Sequence, residues 1–145
     1  MKILIADALS DKALGILAAA SLSADVKTGL KAEELQNIIG EYDAVVVRSA
    51  TKITKDIIAK GDKLRVIGRA GIGVDNVDVQ AATEKGIVVM NTPQGNALAA
   101  AEHTIGLMFA AARKIGIADR TMKQGKWEKK ALMGVEVYGK TMGVI

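Results

Sequence analysis

The strongest constraint on this chain is an alternation, through residues 2–93, of short β-branched runs with segments of helical periodicity. Lys2–Ala6 reads as a strand closed by Asp7. Ser10 stands where an N-cap is needed for a helix whose apolar face is Ala13, Leu14, Leu17 and Ala20. Ala24–Thr28 alternates polar and apolar residues, as a half-exposed edge strand does. Leu35, Ile38, Ile39 and Tyr42 then fall at i, i+3, i+4 and i+7, a helical stripe. Ala44–Val47 is a wholly apolar strand, and Thr54 can cap a short helix that carries Ile57 and Ile58 and ends near Gly61. Leu64–Gly68 is the fourth strand, Val77–Lys85 the fourth helix with Gly86 at its C′ position, and Ile87–Met90 the fifth strand before Pro93.

Strands that are apolar on both faces and alternate with helices require a parallel sheet covered on both sides. Residues 1–95 are therefore expected to form a flavodoxin-like, doubly wound, five-stranded parallel α/β domain with helices on both faces. Half of the residues are hydrophobic but only 3% are aromatic, so the core must be built from Ala, Val, Ile, Leu and Met. Ligands of such sheets sit beyond the carboxyl ends of the strands. That rule directs attention to Asp7, Arg48 and Ser49, the stretch from Arg69 to Val74, and the stretch from Asn91 to Asn96.

Residues 96–145 differ in character. Asn96 can cap a long helix from Ala97 to about Lys114, in which Leu98, Ala101, Ile105, Leu107, Met108, Phe109 and Ala112 fit no single stripe. Such a helix is expected to be buried on more than one side, by a second domain or a second subunit. A shorter helix, Ile117–Gln124, follows. The tail ends TMGVI, which reads as the beginning of a sixth strand.

Composition removes several function classes. The chain has no cysteine and one histidine, so neither thiolate nor imidazole metal clusters are expected. MKILIAD is too short for a signal peptide, and no uncharged stretch is long enough to span a bilayer, so a cytoplasmic protein without membrane contact is expected. The formal net charge is +4, but the lysines are dispersed and stacking aromatics nearly absent, so nucleic acid is not an expected partner. The densest basic stretch, Lys123 to Lys130, reads as a solvated helix end.

VRSATKIT (Val47–Thr54), GRAGIGVDNVD (Gly68–Asp78), NTPQGN (Asn91–Asn96), AEHTIGLM (Ala101–Met108) and GKWEKKALMGVEVYGKTMGVI (Gly125–Ile145) occur in that order. Together they resemble the phosphoglycerate-type members of the D-2-hydroxyacid dehydrogenase family over essentially the whole chain. The resemblance implies an NAD-dependent oxidoreductase of serine biosynthesis that oxidises D-3-phosphoglycerate to 3-phosphohydroxypyruvate. It implies a substrate domain and a nucleotide domain around one active site, with two helices crossing between them and dimerisation largely through the nucleotide domain. The helix 97–114 holds the place of the first crossing helix. In relatives a segment like GKTMGVI runs into the Gly-rich dinucleotide loop, and the catalytic arginine, glutamate and histidine lie beyond it. The expectation is a truncated piece that carries no catalytic residue, is inactive alone and does not bind NAD tightly.

Carried residue by residue, the resemblance places the backbone N–H groups of Ile72 and Gly73 on the substrate carboxylate, with Ile72 also near the nicotinamide. Glycines after a strand can equally serve turn geometry alone, and Gly71-x-Gly73-x-x-Asn76 is not a dinucleotide fingerprint. Arg48 and Arg69, each expected just after a parallel strand, would face the 3-phosphate with Ser49 beside them, since a guanidinium fork suits phosphate. Lys129 matches a basic position that in relatives reaches the neighbouring subunit's active site. His103 is expected to be a packed structural residue, and Asp75 and Asp78 to organise the turn and first helical turn without a metal role. The competing reading is a non-catalytic flavodoxin-like domain, of the kind used as a folding or evolution model, that self-associates through the orphaned helix. The expectation is a homodimer, with or without a swap through helix 97–114, or else a helix folded back onto the sheet. A receiver domain is rejected because Arg48 and Ser49 stand where an acceptor aspartate belongs. A flavin module is rejected because no hydroxyl-rich loop follows the first strand and no aromatics are available for stacking.

Overall fold

A computed structural model describes residues 1–144; Ile145, the last residue of the expected sixth strand, lies outside them. The chain separates into two compact units, Met1–Asn96 and the residues from Ala97 onward. In the first unit β1 (Lys2–Ile5), β2 (Ser23–Val26), β3 (Ala44–Val47), β4 (Val66–Arg69) and β5 (Val88–Asn91) pair in the order β2-β1-β3-β4-β5. Every pairing is parallel. That is the flavodoxin-like order, and the expected fold class holds.

Helices α1 (Asp11–Ala19), α2 (Ala32–Ile38), α3 (Lys55–Lys60) and α4 (Val79–Glu84) make the crossovers. The alternation of side chains along each strand divides the core in two. Leu4, Val45, Val47 and Ile67 join Leu35, Ile39, Tyr42, Ile57, Ile58, Ala81 and Ala82 in the larger cluster, beneath α2, α3 and α4. Ile3, Ile5 and Ala44 form the smaller cluster with Leu14, Leu17, Val46 and Val66, beneath α1. Of the sequence stripe, Leu35, Ile39 and Tyr42 are buried and Ile38 partly so, although α2 stops at Ile38 and a 3₁₀ turn, Ile39–Glu41, continues it.

Several boundaries differ from the sequence reading. The fourth strand begins at Val66 and includes Arg69, so Arg69 ends a strand and does not follow it. Neighbouring strands decide this: Val47 of β3 pairs with Arg69, and β5 extends to pair Asn91 with it from the other side. Ser10 and Thr54 occupy N-cap positions with extended backbone, but neither side chain bonds the helix. Asp78 does cap, accepting the N–H of Ala81 at 2.9 Å, and therefore starts α4 at Val79, not Val77. Gly86, at φ 72°, ends it in the left-handed conformation expected of a C′ residue.

The second unit contains α5 (Ala97–Ala112) and α6 (Ile115–Lys123). No residue of α5 is buried within the chain itself, and the cover expected for it is that of a second domain or subunit. A hydrophobic surface is buried only where a partner supplies matching surface, and apolarity alone cannot provide one. His103 shares this exposure within the chain. Residues 141–144 form no strand, because a strand is defined by pairing and they pair with nothing among the described residues.

Ile67 is fully buried in the larger cluster, whereas Val88 on the edge strand β5 is 55% exposed. Ile67→Ala should cost about 2–5 kcal/mol and Val88→Ala about 0.5 kcal/mol, as read from urea unfolding midpoints. Equal costs would mean that the sheet is not packed in this way.

Candidate anion-binding site

Parallel strands all end on one rim, so the residues that close β1, β3, β4 and β5 converge there. The register aligns Val47 with Arg69, which sets Arg48 one residue beyond the end of β3 and Arg69 at the end of β4. Arg48, Ser49 and Arg69 border a single cavity of about 370 Å³. Ala70 and Gly71 from the turn after β4, and Thr92, Gly95 and Asn96 from the turn after β5, complete its wall. Among the described residues neither arginine is ion-paired with a carboxylate. Arg48 makes one long bond, 3.4 Å, to the carbonyl of Ala8, and the buried Nε of Arg69 has no acceptor among the described residues. Two unpaired guanidiniums facing one hollow hold a standing electrostatic preference for an anion.

Gly71 shapes this arrangement sterically. A Cβ at position 71 would lie only 1.7 Å from a terminal nitrogen of Arg69, so the guanidinium occupies space that any other residue would fill. Gly71 has no left-handed backbone, so its role here is to leave room. Asn91 fastens the same turn from β5, donating its side-chain amide to the carbonyl of Ile72 at 2.6 Å, while the N–H of Thr92 bonds the carbonyl of Gly71 at 2.9 Å. With their carbonyl side tied back, the N–H groups of Ile72 and Gly73 meet no acceptor among the described residues. Ile72 and Gly73 are exposed on the turn that continues from the cavity wall, and they are not part of that wall. Lys129 is a residue of the second unit, where it borders an apolar hollow with Met122, Trp127 and Leu132.

The segment from Arg48 to Thr51 is held from beneath. Asp7, just past β1, accepts the N–H of Arg48 at 2.6 Å, the N–H of Thr51 at 3.2 Å and the hydroxyl of Thr51 at 2.8 Å. Burial by itself raises the Asp7 carboxyl. The two N–H groups, the hydroxyl and the Arg48 charge outweigh that effect and hold it below its ordinary value of 3.8. Sequence reasoning marked Asp7 by its position after a strand but gave it no task. Thr92, Gly95 and Asn96 fall in the stretch 91–96 singled out by its place beyond the fifth strand, but of the three only Asn96 carries an expected task, that of a helix cap.

A family model described as D-isomer specific 2-hydroxyacid dehydrogenase, catalytic domain, matches residues 3–142. The D-3-phosphoglycerate dehydrogenase of Archaeoglobus fulgidus is 52% identical over 145 residues, all of this chain and 28% of that protein. The protein of the same name from Synechocystis is 51% identical over 144 residues, 99% of this chain and 26% of its own length. The chain thus spans little more than a quarter of these relatives. Among solved structures, the NAD+-bound 3-phosphoglycerate dehydrogenase of Entamoeba histolytica aligns with a TM-score of 0.70 and 36% identity, covering 79% of this chain and 40% of that one.

The depressed carboxyl of Asp7 fixes the sign of a pH effect. A group whose folded-state value lies below 3.8 stabilises the fold fully above that value, and this contribution is lost as pH falls through the folded value. Unfolding midpoints measured at stepwise lower pH should therefore fall more steeply below pH 3.8 in the unsubstituted chain than in Asp7→Asn. Parallel curves would show that the carboxylate is not engaged as described.

Proposed function

This chain belongs to the D-isomer specific 2-hydroxyacid dehydrogenase family, and we propose that its first unit grips the two anionic ends of D-3-phosphoglycerate. The observation that carries this reading is the pair of unpaired arginines, Arg48 and Arg69, which end neighbouring strands and share a cavity with Ser49. They take the phosphate, a group whose oxygens match a guanidinium fork. The free N–H groups of Ile72 and Gly73 take the carboxylate, in the manner of a backbone nest. Two anionic ends held at fixed points orient the C2 alcohol between them, which is the positioning part of catalysis.

The longer protein to which such a unit would belong oxidises that alcohol to 3-phosphohydroxypyruvate, with NAD as the hydride acceptor. The glycine turn after β4 does not fit the phosphates of a dinucleotide. The turn Gly71–Asn76 lacks the third glycine, and the side chain of Asn76 is buried against backbone carbonyls. Ile72, 41% exposed, is the one position proposed to touch the nicotinamide. No proton or hydride step is assigned to these residues, and the chain alone is proposed to be inactive.

Titration with D-3-phosphoglycerate should move the backbone NMR signals of Arg48, Arg69 and Ile72, without any reduction of NAD in a parallel assay. No movement at the arginines, or measurable turnover, overturns the reading. Gly71→Ala should leave the unfolding midpoint nearly unchanged, because a flexible side-chain end can move aside. It should weaken binding by about tenfold, the worth of one charge-assisted contact.

A second reading concerns association. Leu98 is 76% exposed, Leu107 56% and Phe109 43%, all on α5. Apolar exposure spread around α5 favours a second copy of the chain, and a homodimer formed through α5 is proposed. Light scattering should give a mass near twice 15.2 kDa, and a strictly monomeric chain at all concentrations would refute it.

A further inference from the structure

We propose that Asp7 and Asn76, which do not line the cavity, are positioning residues that hold the Arg48–Thr51 loop in its anion-binding shape. The inference rests on the reading of that cavity as the phosphate site. Once β3 ends at Val47, the loop has no neighbouring strand to take its polar backbone groups. Asp7 supplies the acceptors, meeting the N–H of Arg48 and of Thr51 with one carboxylate oxygen and the Thr51 hydroxyl with the other. Asn76 supplies the donor, its amide nitrogen lying 2.6 Å from the carbonyls of both Arg48 and Thr51. Both ends of the loop are thus held on both sides. Asp7, Thr51 and Asn76 are 6%, 9% and 8% exposed, while Arg48, Ser49 and Ala50 between them reach solvent.

Such a clamp moves the ordering of the loop from the binding step to the folding step, so ligand affinity is not spent on immobilising it. The useful property of Asp7 is its set of acceptors, not its charge. A fixed negative charge beneath Arg48 opposes an arriving phosphate. This separates two substitutions. In Asp7→Asn, the remaining oxygen can accept both N–H groups, and the new amide can donate to the Thr51 hydroxyl oxygen. The hydroxyl proton can then turn to the carbonyl of Ala6, 3.4 Å away. The loop keeps its shape and the opposing charge is gone. In Asp7→Ala three donors lose their acceptor at once.

The test compares the unsubstituted chain with Asp7→Asn and Asp7→Ala by phosphoglycerate titration and by amide exchange at Arg48 and Thr51. Asp7→Ala should bind about tenfold more weakly and exchange faster at those two amides, with Val45 and Ile67 unchanged. Asp7→Asn should bind at least as well as the unsubstituted chain, which a merely structural role would not produce. Should Asp7→Ala fail to fold, Thr51→Val removes one bond of the clamp and should weaken binding several-fold, with Thr51→Ser restoring it. Equal affinity in the unsubstituted chain and Asp7→Ala, in Thr51→Val and the unsubstituted chain, or loss in Asp7→Asn as great as in Asp7→Ala, overturns the positioning role and leaves the phosphate site standing. An unsubstituted chain that binds no phosphoglycerate overturns both.

Discussion

The pairing of β3 with β4 is the contact on which the candidate site depends. Parallel strands carry their C-terminal ends to the same rim, and their register fixes which residues arrive there together. With Val47 opposite Arg69, Arg48 and Arg69 reach the same end of the sheet and border one cavity. A slip of one residue would turn every side chain of β4 to the other face, sending Ile67 out of the larger core. The buried aliphatic cluster therefore enforces the geometry of the polar rim, although it touches no ligand.

The rim itself is organised by a few buried polar groups in an otherwise aliphatic interior. Asp7, Thr51 and Asn76 satisfy the backbone where sheet hydrogen bonding stops, and Asn91 does the same for the turn after β4. Beside them, the N–H groups of Ile72 and Gly73 and the Nε of Arg69 have no partner among the described residues, and Arg48 has only its long bond to Ala8. Donors left free in this way can meet an anion at once, whereas donors already engaged inside the protein would have to be released first.

The two faces of the sheet are unequally covered. Three helices pack on the face of Val45 and Ile67, and one packs on the face of Ile3 and Val46, where Val88 and Met90 of β5 remain exposed. The first unit thus resembles a doubly wound domain with part of one layer left bare.

Much of the fold was legible from the residues. Apolar spacing places all five strands and their intervening helices, because burial acts on each segment through its own periodicity. Strand ends were less legible: Leu64 reads as strand by composition, but the ladder begins at Val66, where a partner backbone is present. The arginines and the glycine turn were found from their place after strands and from family resemblance. The clamp was not, because Asp7 lies 41 residues from Arg48 in sequence and Asn76 lies 28 from it. Likewise nothing local says that Gly71 is the bed for the Arg69 guanidinium. The sequence by itself determined the α/β class, the core palette and the family. Tertiary structure alone decided which polar groups meet, because hydrogen bonds between distant segments depend on distances set by the packing of the whole sheet.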